Sequence, residues 1–514
     1  MALKRAVDPV WPMELTSERD TAALARLVAR LVEPGMLVTL SGDLGAGKTT
    51  FARALIRDIV GDPELEAPSP SFTLMQIYES PRGPVVHADL YRISDVSELA
   101  ELGWEEAGEG ALLLVEWAER AGDALPPDRL EVAFALAPDL GDTWRRAALI
   151  GYGRYGELVA RERAVADLLA QSGWAGARRQ FMLGDASTRA YERLTKPDGE
   201  GAILMISPPR PDGPPVRYGK PYSAIARLAE DIKPFIAIAE GLGAQGFSTP
   251  RIEAVDIESG LAVIEDFGGE CVLDAHGVPM QERYMAAASA LATLHARALP
   301  HELPVAGEVY RIPPYDLDAL LIEVELATEW FAPHVARMGV SSSAAAVFLN
   351  IWKDALAEVA AAPPTWTLRD VHSPNLIWLA EREGVRRVGL IDFQDCVLGH
   401  PAYDLASLAQ DARVTVSDEL ELHLLSNYAI SRKRLEPAFD MEAFARAYAI
   451  LGAQRATKIL GIFARLDKRD GKPQYLAHMP RVRAYLQKNL RHEALAGVRE
   501  WYETYLPQAL RTEA

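Results

Sequence analysis

Cysteine is nearly absent from this chain. Its 514 residues include two, Cys271 and Cys396. Two are too few for a disulfide framework, and no C-x-x-C pair offers a structural zinc site. Positive charge is also scarce. Lys and Arg number 54 against 72 Asp and Glu, a formal net charge of −18. Residues 1–150 carry −11 of this and residues 151–514 the remaining −7. Neither part has the basic excess that direct binding of a nucleic-acid backbone needs. DNA is therefore not expected as a partner, and any RNA would be held mostly by other proteins. No apolar run approaches the roughly 18 residues of a membrane span. The N-terminal stretch MALKRAVDPVWPMELTS lacks the apolar core of a secretory signal. These absences point to a cytoplasmic protein without a membrane partner. The rest of the composition, 49% hydrophobic and 25% charged, is that of a soluble globular protein. The length suggests two to four domains.

Two unrelated phosphate-handling signatures stand far apart in the chain. The first is Gly42-Asp43-Leu44-Gly45-Ala46-Gly47-Lys48-Thr49. In such a loop the glycines let backbone N–H groups turn inward around phosphate oxygens. The lysine reaches the β- and γ-phosphates, and the threonine hydroxyl takes Mg²⁺. The apolar run Met36–Leu40 precedes it as a buried strand, and Thr50–Val60 follows as a helix. Upstream, Thr16-Ser17 opens a helical pattern with Leu24, Leu27, Val28 and Leu31, ended by Pro34-Gly35. Val85–Asp89 and Ala111–Val115 read as two further strands, followed or ended by Asp89 and Glu116. Asp89 stands where a metal-binding carboxylate belongs. Glu116 is placed to orient an attacking water. Alternating strands and helices predict a parallel sheet covered by helices.

The second signature is Leu368-Arg369-Asp370-Val371-His372-Ser373-Pro374-Asn375, followed by Ile391-Asp392-Phe393. The five-residue step from Asp370 to Asn375 is that of a kinase catalytic loop. There the Asp accepts the proton of the acceptor hydroxyl and the Asn binds Mg²⁺. Asp392, after the apolar strand Val388–Ile391, matches the second metal ligand. His372 is equally consistent with touching substrate and with bracing the loop. The surrounding order of elements fits a two-lobed kinase. Strand candidates Phe181–Leu194, Gly201–Ser207 and Leu261–Phe267 come first. Ala/Leu-rich helical stretches at 282–299, 317–331, 343–361 and 441–464 follow, with the short strand Thr365–Leu368 before the catalytic loop. Pro208–Pro221 reads as a mobile or substrate-facing loop. Trp330 and Phe331 read as core. The four glycines of Gly141–Gly156 place a boundary near 150–157. This gives an α/β P-loop domain over 1–150 and an α+β bilobal domain over 157–514. The latter's small lobe covers about 157–270 and its helical lobe about 275–514.

The first part resembles the TsaE family in its P-loop and in Ser69-Pro70-Ser71-Phe72-Thr73-Leu74, His87-Ala88-Asp89-Leu90-Tyr91-Arg92 and Val115-Glu116-Trp117. That family is the ATPase subunit of the bacterial complex that forms threonylcarbamoyladenosine beside the tRNA anticodon. The resemblance covers about residues 12–135. It implies ATP on Gly42, Asp43, Gly45, Ala46, Gly47, Lys48, Thr49 and Thr50, with Mg²⁺ on Thr49 and Asp89. It also implies Glu116 and Trp117 near the nucleotide, and Ser69–Thr73 as a switch-like loop. Its expected partners are the other subunits of that complex, with tRNA contacted indirectly. The family usually has Thr where this chain has Ser71, which keeps the hydroxyl.

The second part resembles the aminoglycoside phosphotransferase-like superfamily, and within it the amino-sugar kinases of peptidoglycan recycling (AmgK). The runs that carry this are Leu183–Arg189, Leu368–Asn375, Ile391–Asp395, Tyr403–Leu408, Gln454-Arg455 and Leu460–Lys472. The resemblance implies ATP phosphates under Gly184, Asp185, Ala186, Ser187 and Thr188, and adenine at the hinge Glu265-Asp266-Phe267. It implies Asp370 as the catalytic base, Mg²⁺ on Asn375 and Asp392, and Asp404 bracing the catalytic loop. The implied reaction phosphorylates the anomeric hydroxyl of N-acetylmuramic acid or N-acetylglucosamine. One departure stands out. The strand Ala202–Ile206 has Met205 about where kinases carry a phosphate-gripping lysine. Arg189, Arg193 and Lys196 are the cations that could replace it. Other readings are a nucleotide-dependent assembly switch for the first part, and a degenerate scaffold or a kinase of another small hydroxyl compound for the second.

Overall fold

The computed structural model describes residues 9–93, 98, 108–141, 143–182, 189–210 and 213–511. By its internal contacts the chain divides into two compact units, Met1–Ala170 and Gln171–Ala514.

In the first unit, helix α1 (Glu18–Leu31) starts at Ser17 with a capping box. Asp20 reaches back to the Ser17 N–H at 3.0 Å, satisfying donors the first turn leaves unpaired. Its buried face, Leu24, Ala25 and Val28, shares a core with Phe51, Leu55 and Ile56 of α2 (Lys48–Val60). The sheet under them holds β1 (Val10–Leu15), β2 (Leu37–Ser41), β3 (Met75–Tyr78), β4 (Val85–Asp89), β5 (Leu112–Glu116), β6 (Arg129–Leu136) and β7 (Arg145–Tyr152). Its order is β1-β7-β6-β2-β5-β4-β3. The predicted parallel sheet is its centre only: β6, β2, β5 and β4 run parallel. The flanks β1, β7 and β3 are antiparallel. Parallel strands share one C-terminal edge, and Leu40, Asp89 and Glu116 meet there in register.

The sequence puts the helix after residue 157 at the start of the second domain. In the structure this helix, α3 (Gly156–Gln171), falls almost entirely in the first unit, with Val159 in the same core as Leu15, Val132 and Leu149. The glycines before it form a tight reversal and not a linker. A Cβ on Gly151 would lie 2.3 Å from the carbonyl oxygen of Tyr155.

The second unit opens with an antiparallel sheet of β8 (Arg178–Met182), β9 (Ala190–Thr195), β10 (Gly201–Ile206), β11 (Ile252–Asp256) and β12 (Leu261–Glu265), in the order β11-β12-β10-β9-β8. The single strand expected over Phe181–Leu194 is thus two strands, β8 and β9, paired antiparallel. Helix α4 (Lys233–Ala244) follows β10 in the chain. Part of the Pro-rich stretch forms a small hairpin, Pro215–Arg217 with Lys220–Pro221. The helical part includes α5 (Gln281–His295), α6 (Leu317–Leu326), α7 (Ser342–Ala361), α8 (Ala402–Ala409), α9 (Asp418–Leu435) and α10 (Met441–Lys468). The helix expected to run to 331 ends its α-form at Leu326 and widens into a π-helical stretch, Ala327–Ala336, containing Pro333. Proline has no N–H to donate, so the regular ladder does not pass through it. Phe331 is fully buried there and Trp330 packs partly buried against the same core.

Four short strands carry the second signature: β13 (Thr365–Thr367), β14 (Leu376–Trp378), β15 (Val388–Leu390) and β16 (Val397–Gly399). β13 pairs with β16, and β14 with β15, Leu376 opposite Leu390. That register sets Asn375 and the residues just after β15 at the same end.

Long α10 crosses α6 at Gly461, where a Cβ would lie 2.4 Å from Leu326 backbone carbon. Neither backbone has room to retreat inside a packed core. Gly461→Ala is expected to destabilise this unit by about 1–3 kcal/mol, read as a lower urea midpoint. An unchanged midpoint would mean that the crossing is not tight.

Candidate functional site

In the first unit the Gly-rich loop leaves the end of β2 and enters α2 directly. Gly42, Gly45 and Gly47 all have positive φ, +125°, +79° and +110°. At Gly42 a Cβ would lie 2.2 Å from the Phe134 carbonyl oxygen, so only glycine fits. Ala46 is buried and its N–H meets the Asp43 carbonyl at 3.1 Å, tightening the loop. Lys48 Nζ donates to the Gly42 carbonyl at 2.6 Å and the Asp43 carbonyl at 3.0 Å, and lies 3.7 Å over the Trp117 ring. Burial pushes the Lys48 ammonium below its usual range, against the opposing pull of Glu116, Glu119 and Asp89. Thr49 Oγ1 donates to Glu116 Oε2 at 2.9 Å. Glu116 Oε1 meets His87 Nε2 at 3.0 Å. Glu116 is therefore not a surface carboxylate; it is buried with both oxygens engaged. Asp89 accepts from the Ser69 hydroxyl and from the Tyr91 N–H at 3.0 Å. Thr50 sits half-buried in the first turn of α2. Lys48, Thr49, Asp89, Glu116 and Trp117 thus converge on one sheet edge. His87, fully buried on β4, is a member the motif reading left without a role.

In the second unit, the residues just before and after the β14–β15 pair are locked together. Asn375 Nδ2 donates to the Asp370 carbonyl at 2.9 Å and to Asp392 Oδ2 at 3.3 Å. Asp392 Oδ1 accepts from Gln394 at 3.0 Å and from Arg189 Nη1 at 2.9 Å. Arg369 and Asp392 both take left-handed backbone, φ +70° and +58°. Such strain needs a reason, and the partners of Arg369 supply it. Asp404 accepts the Leu368 and Arg369 N–H groups, both at 2.8 Å. The Arg369 guanidinium pairs with Glu323 on α6. Glu323 also receives Lys458 of α10 at 2.9 Å, Tyr315 OH at 2.5 Å and Gln454 at 3.0 Å. On the other flank, Asp411 accepts the Ser373 N–H at 2.8 Å and its hydroxyl at 2.7 Å.

The electrostatics differ for the two aspartates. Burial and the nearby Asp370 charge push the Asp392 carboxyl above its usual range. Burial acts the same way on Asp370, but His372, Lys458, Arg369 and Arg455 outweigh it and hold that carboxyl below its usual range. His372 itself is lowered to about 4 by burial and by Arg413, so its ring is neutral at pH 7. Its Nε2 is 3.2 Å from Arg413 Nη1, which makes it an acceptor there, and 3.8 Å from Asp370 Oδ1. It braces the loop.

Of the remaining sequence candidates, Gly184, Asp185, Ala186, Ser187 and Thr188 lie outside the described residues. Glu265 is committed to the fold: its carboxylate takes Arg382 at 2.5 Å and its N–H donates to the Arg251 carbonyl at 2.9 Å. Phe267 packs against Gly389, with Arg382 over its ring at 5.1 Å. Reasoning from sequence missed Glu323, Lys458, Gln394 and Asp411. Glu323 lies 46 positions from Arg369, and no local pattern announces such a pairing.

Two carboxylates and an amide in one cleft suit a hard cation such as Mg²⁺, which uses few protein ligands and completes its shell with water and phosphate. The Asp370 charge raises the proton affinity of Asp392, and a cation beside them relieves that repulsion. A hydroxyl beside Asp89 and Glu116 is the same kind of donor set in the first unit.

Two family profiles match the chain. A profile for the threonylcarbamoyl adenosine biosynthesis protein TsaE fits residues 15–141, and one for the phosphotransferase enzyme family fits residues 179–444. An N-acetylmuramate/N-acetylglucosamine kinase of Caulobacter vibrioides is 40% identical over 362 residues, 68% of this chain and 98% of that protein. A tRNA threonylcarbamoyladenosine biosynthesis protein TsaE of Rickettsia typhi is 44% identical over 118 residues, 23% of this chain and 81% of that protein. Among solved structures, amicoumacin kinase hAmiN aligns with 65% of this chain and 96% of its own, at 17% identity and a TM-score of 0.41.

Removing Glu323 would leave Arg369 and Lys458 buried without their anion. Glu323→Ala is expected to destabilise the second unit by about 3–5 kcal/mol, seen as a lower urea midpoint for that unit alone. A loss below about 1 kcal/mol would mean that water compensates both cations.

Proposed function

We propose two separate ATP-using activities for this chain, which belongs to the phosphotransferase enzyme family through residues 179–444 and to the TsaE family through residues 15–141. The second unit is an amino-sugar kinase that phosphorylates the anomeric hydroxyl of N-acetylmuramic acid and N-acetylglucosamine, a step of peptidoglycan recycling. The first unit is the ATPase subunit of a complex forming threonylcarbamoyladenosine on tRNA. The working extents follow the two compact units, about residues 1–170 for the ATPase and 171–514 for the kinase, in the cytoplasm.

The observation that carries the kinase reading is the joined set Asp370, Asn375 and Asp392, with the base kept ionised and the metal-side carboxylate raised. ATP supplies the γ-phosphoryl group and Mg²⁺ offsets its charge. Asp370 accepts the proton of the anomeric hydroxyl as the sugar oxygen bonds to the γ-phosphorus and the bond to the ADP oxygen breaks. Asn375 and Asp392 would hold the metal, and Asp404, Glu323 and Asp411 hold the loop that aims Asp370. In the first unit Lys48 would meet the β- and γ-phosphates, and Thr49 and Asp89 the metal, while His87 and Glu116 position Thr49. Exposed Leu44 and Phe72 near that site, with Arg92 over the Phe72 ring at 4.1 Å, are apolar surface suited to a partner subunit. The charge of −11 over residues 1–150 supports leaving tRNA contact to such partners.

Transfer of labelled γ-phosphate to N-acetylmuramic acid, N-acetylglucosamine, an aminoglycoside and choline tests the kinase reading. Label at the anomeric position of an amino sugar is expected; transfer to none of the four, or only to the last two, would sink it. Lys48→Ala is expected to abolish hydrolysis attributable to the first unit and spare sugar phosphorylation. Asp370→Asn should do the reverse, lowering kcat by about 10²–10⁴-fold. Loss of both activities in either folded variant contradicts two separate sites.

The acid limb of sugar phosphorylation should follow Asp392 and not Asp370. The Asp392 carboxyl is raised, so activity is lost as pH falls through a value above 3.8, while Asp370 stays ionised further down. Metal competes with that proton. Higher Mg²⁺ is expected to move the limb to lower pH, and a limb indifferent to Mg²⁺ would remove Asp392 from the metal site.

A further inference from the structure

The apolar Met205 raises the question of which cation grips the nucleotide phosphates. Met205 is fully buried and belongs to the same apolar cluster as Phe235, Ile236 and Ala239 of α4. Where kinases carry the strand lysine, this strand therefore adds a side chain to the apolar core. The charge has to come from elsewhere in the small lobe.

Strand register indicates where. Met205 faces Tyr191 across the β9–β10 pair, so the two side chains share one face of the sheet. The alternation continues to Arg189, one residue before β9 and on that same face. Its position is displaced from Tyr191 by two residues, about 6–7 Å, which an arginine side chain spans. The side chain is nine-tenths buried and its Nη1 donates to Asp392 Oδ1 at 2.9 Å. It thus ends beside the metal-side carboxylate, with Asp395 also in electrostatic reach.

The other cations of the strand are already spent. Arg193 pairs with Asp266 at 2.8 Å, at the far end of β9. Lys196 pairs with Glu200 at 2.8 Å in the β9–β10 turn and lies over Trp174 at 4.2 Å. Arg210 is close enough to Arg189 and Asp395 to feel both, but no ion pair ties it to Asp392 among the described residues.

We propose that Arg189 is the nucleotide-binding cation of the kinase unit, holding ATP phosphate from β9 in place of the lysine absent from β10. The assignment rests on the kinase reading above. A guanidinium carries five donors in a planar fork. Asp392 and Tyr191 share this fork in the structure, and a phosphate at the same place would meet the same group. Contact with both groups ties the triphosphate to the carboxylate that faces its metal.

The test measures affinity for a fluorescent ADP analogue in the full chain carrying Lys48→Ala, which silences the P-loop, with and without Mg²⁺. Arg189→Gln is expected to weaken binding about 10- to 100-fold even in EDTA, to raise the KM for ATP and to leave the KM for the sugar in place. Lys196→Ala should bind like the parent. Loss confined to Mg²⁺ conditions would show that Arg189 only steadies Asp392 and would overturn the assignment. The same loss in Arg210→Gln with none in Arg189→Gln would overturn it in favour of Arg210. Should Arg189→Gln not fold, Arg189→Met decides: it keeps a long side chain but loses the charge, and parent-like affinity there would overturn the proposal. A parent that binds no analogue and phosphorylates no acceptor fails at the kinase reading instead, a result separate from any difference among variants.

Discussion

A cleft that must receive a triphosphate is lined here with carboxylates, and their mutual repulsion is what the rest of the kinase unit is arranged to offset. Asp370 and Asp395 both lie within electrostatic reach of Asp392. Burial favours protonation of Asp370 as well, and a protonated Asp370 takes no proton from an acceptor. The fold separates their fates. Beneath Asp370 it buries two cations, Arg369 and Lys458, against one anion, Glu323. The excess positive charge keeps Asp370 ionised. Glu323 holds Lys458 at about 12 against burial, so the charge is there at every pH the protein meets. Beside Asp392 the fold supplies one arginine and two amides, and leaves the rest of the compensation to what binds.

The P-loop unit meets the same repulsion with different means. In the proposed reading its phosphate contacts come from backbone N–H groups and one lysine, so the carboxylates can stay a step back. Asp89 and Glu116 sit at adjacent parallel strand ends and are met by hydroxyl donors, Ser69 and Thr49, with His87 beside Glu116. Backbone geometry does here what a buried ion cluster does in the kinase. That explains why the P-loop cannot tolerate a Cβ at Gly42, while the kinase loop tolerates strained Arg369 so long as Glu323 and Asp404 hold it.

Much of both sites was legible because their chemistry is local. Gly42–Thr49 and Asp370–Asn375 each place their groups within eight residues, on turns whose shape follows from the residues in them. Strand ends were legible for the same reason: Val85–Asp89 is an apolar run closed by a carboxylate. What escaped was set by distance along the chain or by packing. Glu323 and Lys458 are ordinary helix residues until α6 and α10 lie side by side. The glycines around Gly151 suggested a domain boundary because composition does not distinguish a joint between domains from a close backbone approach. The antiparallel flanks β1, β7 and β3 carry short, half-exposed alternation, too weak to separate from loop. The hinge pair Glu265 and Phe267 came from family likeness alone, and the structure has both engaged in packing and ion pairing.

Met205 is the instructive case, since sequence recorded the loss and structure shows what the loss did. A buried lysine costs several kcal/mol unless an anion meets it, so losing the lysine alone would leave the opposing carboxylate of such a pair unmatched. Here Met205 is fully buried in the apolar core, and the small lobe gains ordinary packing where that charge would have stood. The sheet tolerates this because the requirement is positive charge at the phosphates, whichever strand delivers it. Register makes β9 the natural source: alternation places one residue in two on the cleft face, and Arg189 is the one nearest Asp392. Moving a cation from one strand to its neighbour keeps the cleft's charge balance and changes only the backbone that carries it. An intact set of Asp370, Asn375 and Asp392 beside a missing lysine is therefore consistent with a working phosphotransferase and gives no sign of decay.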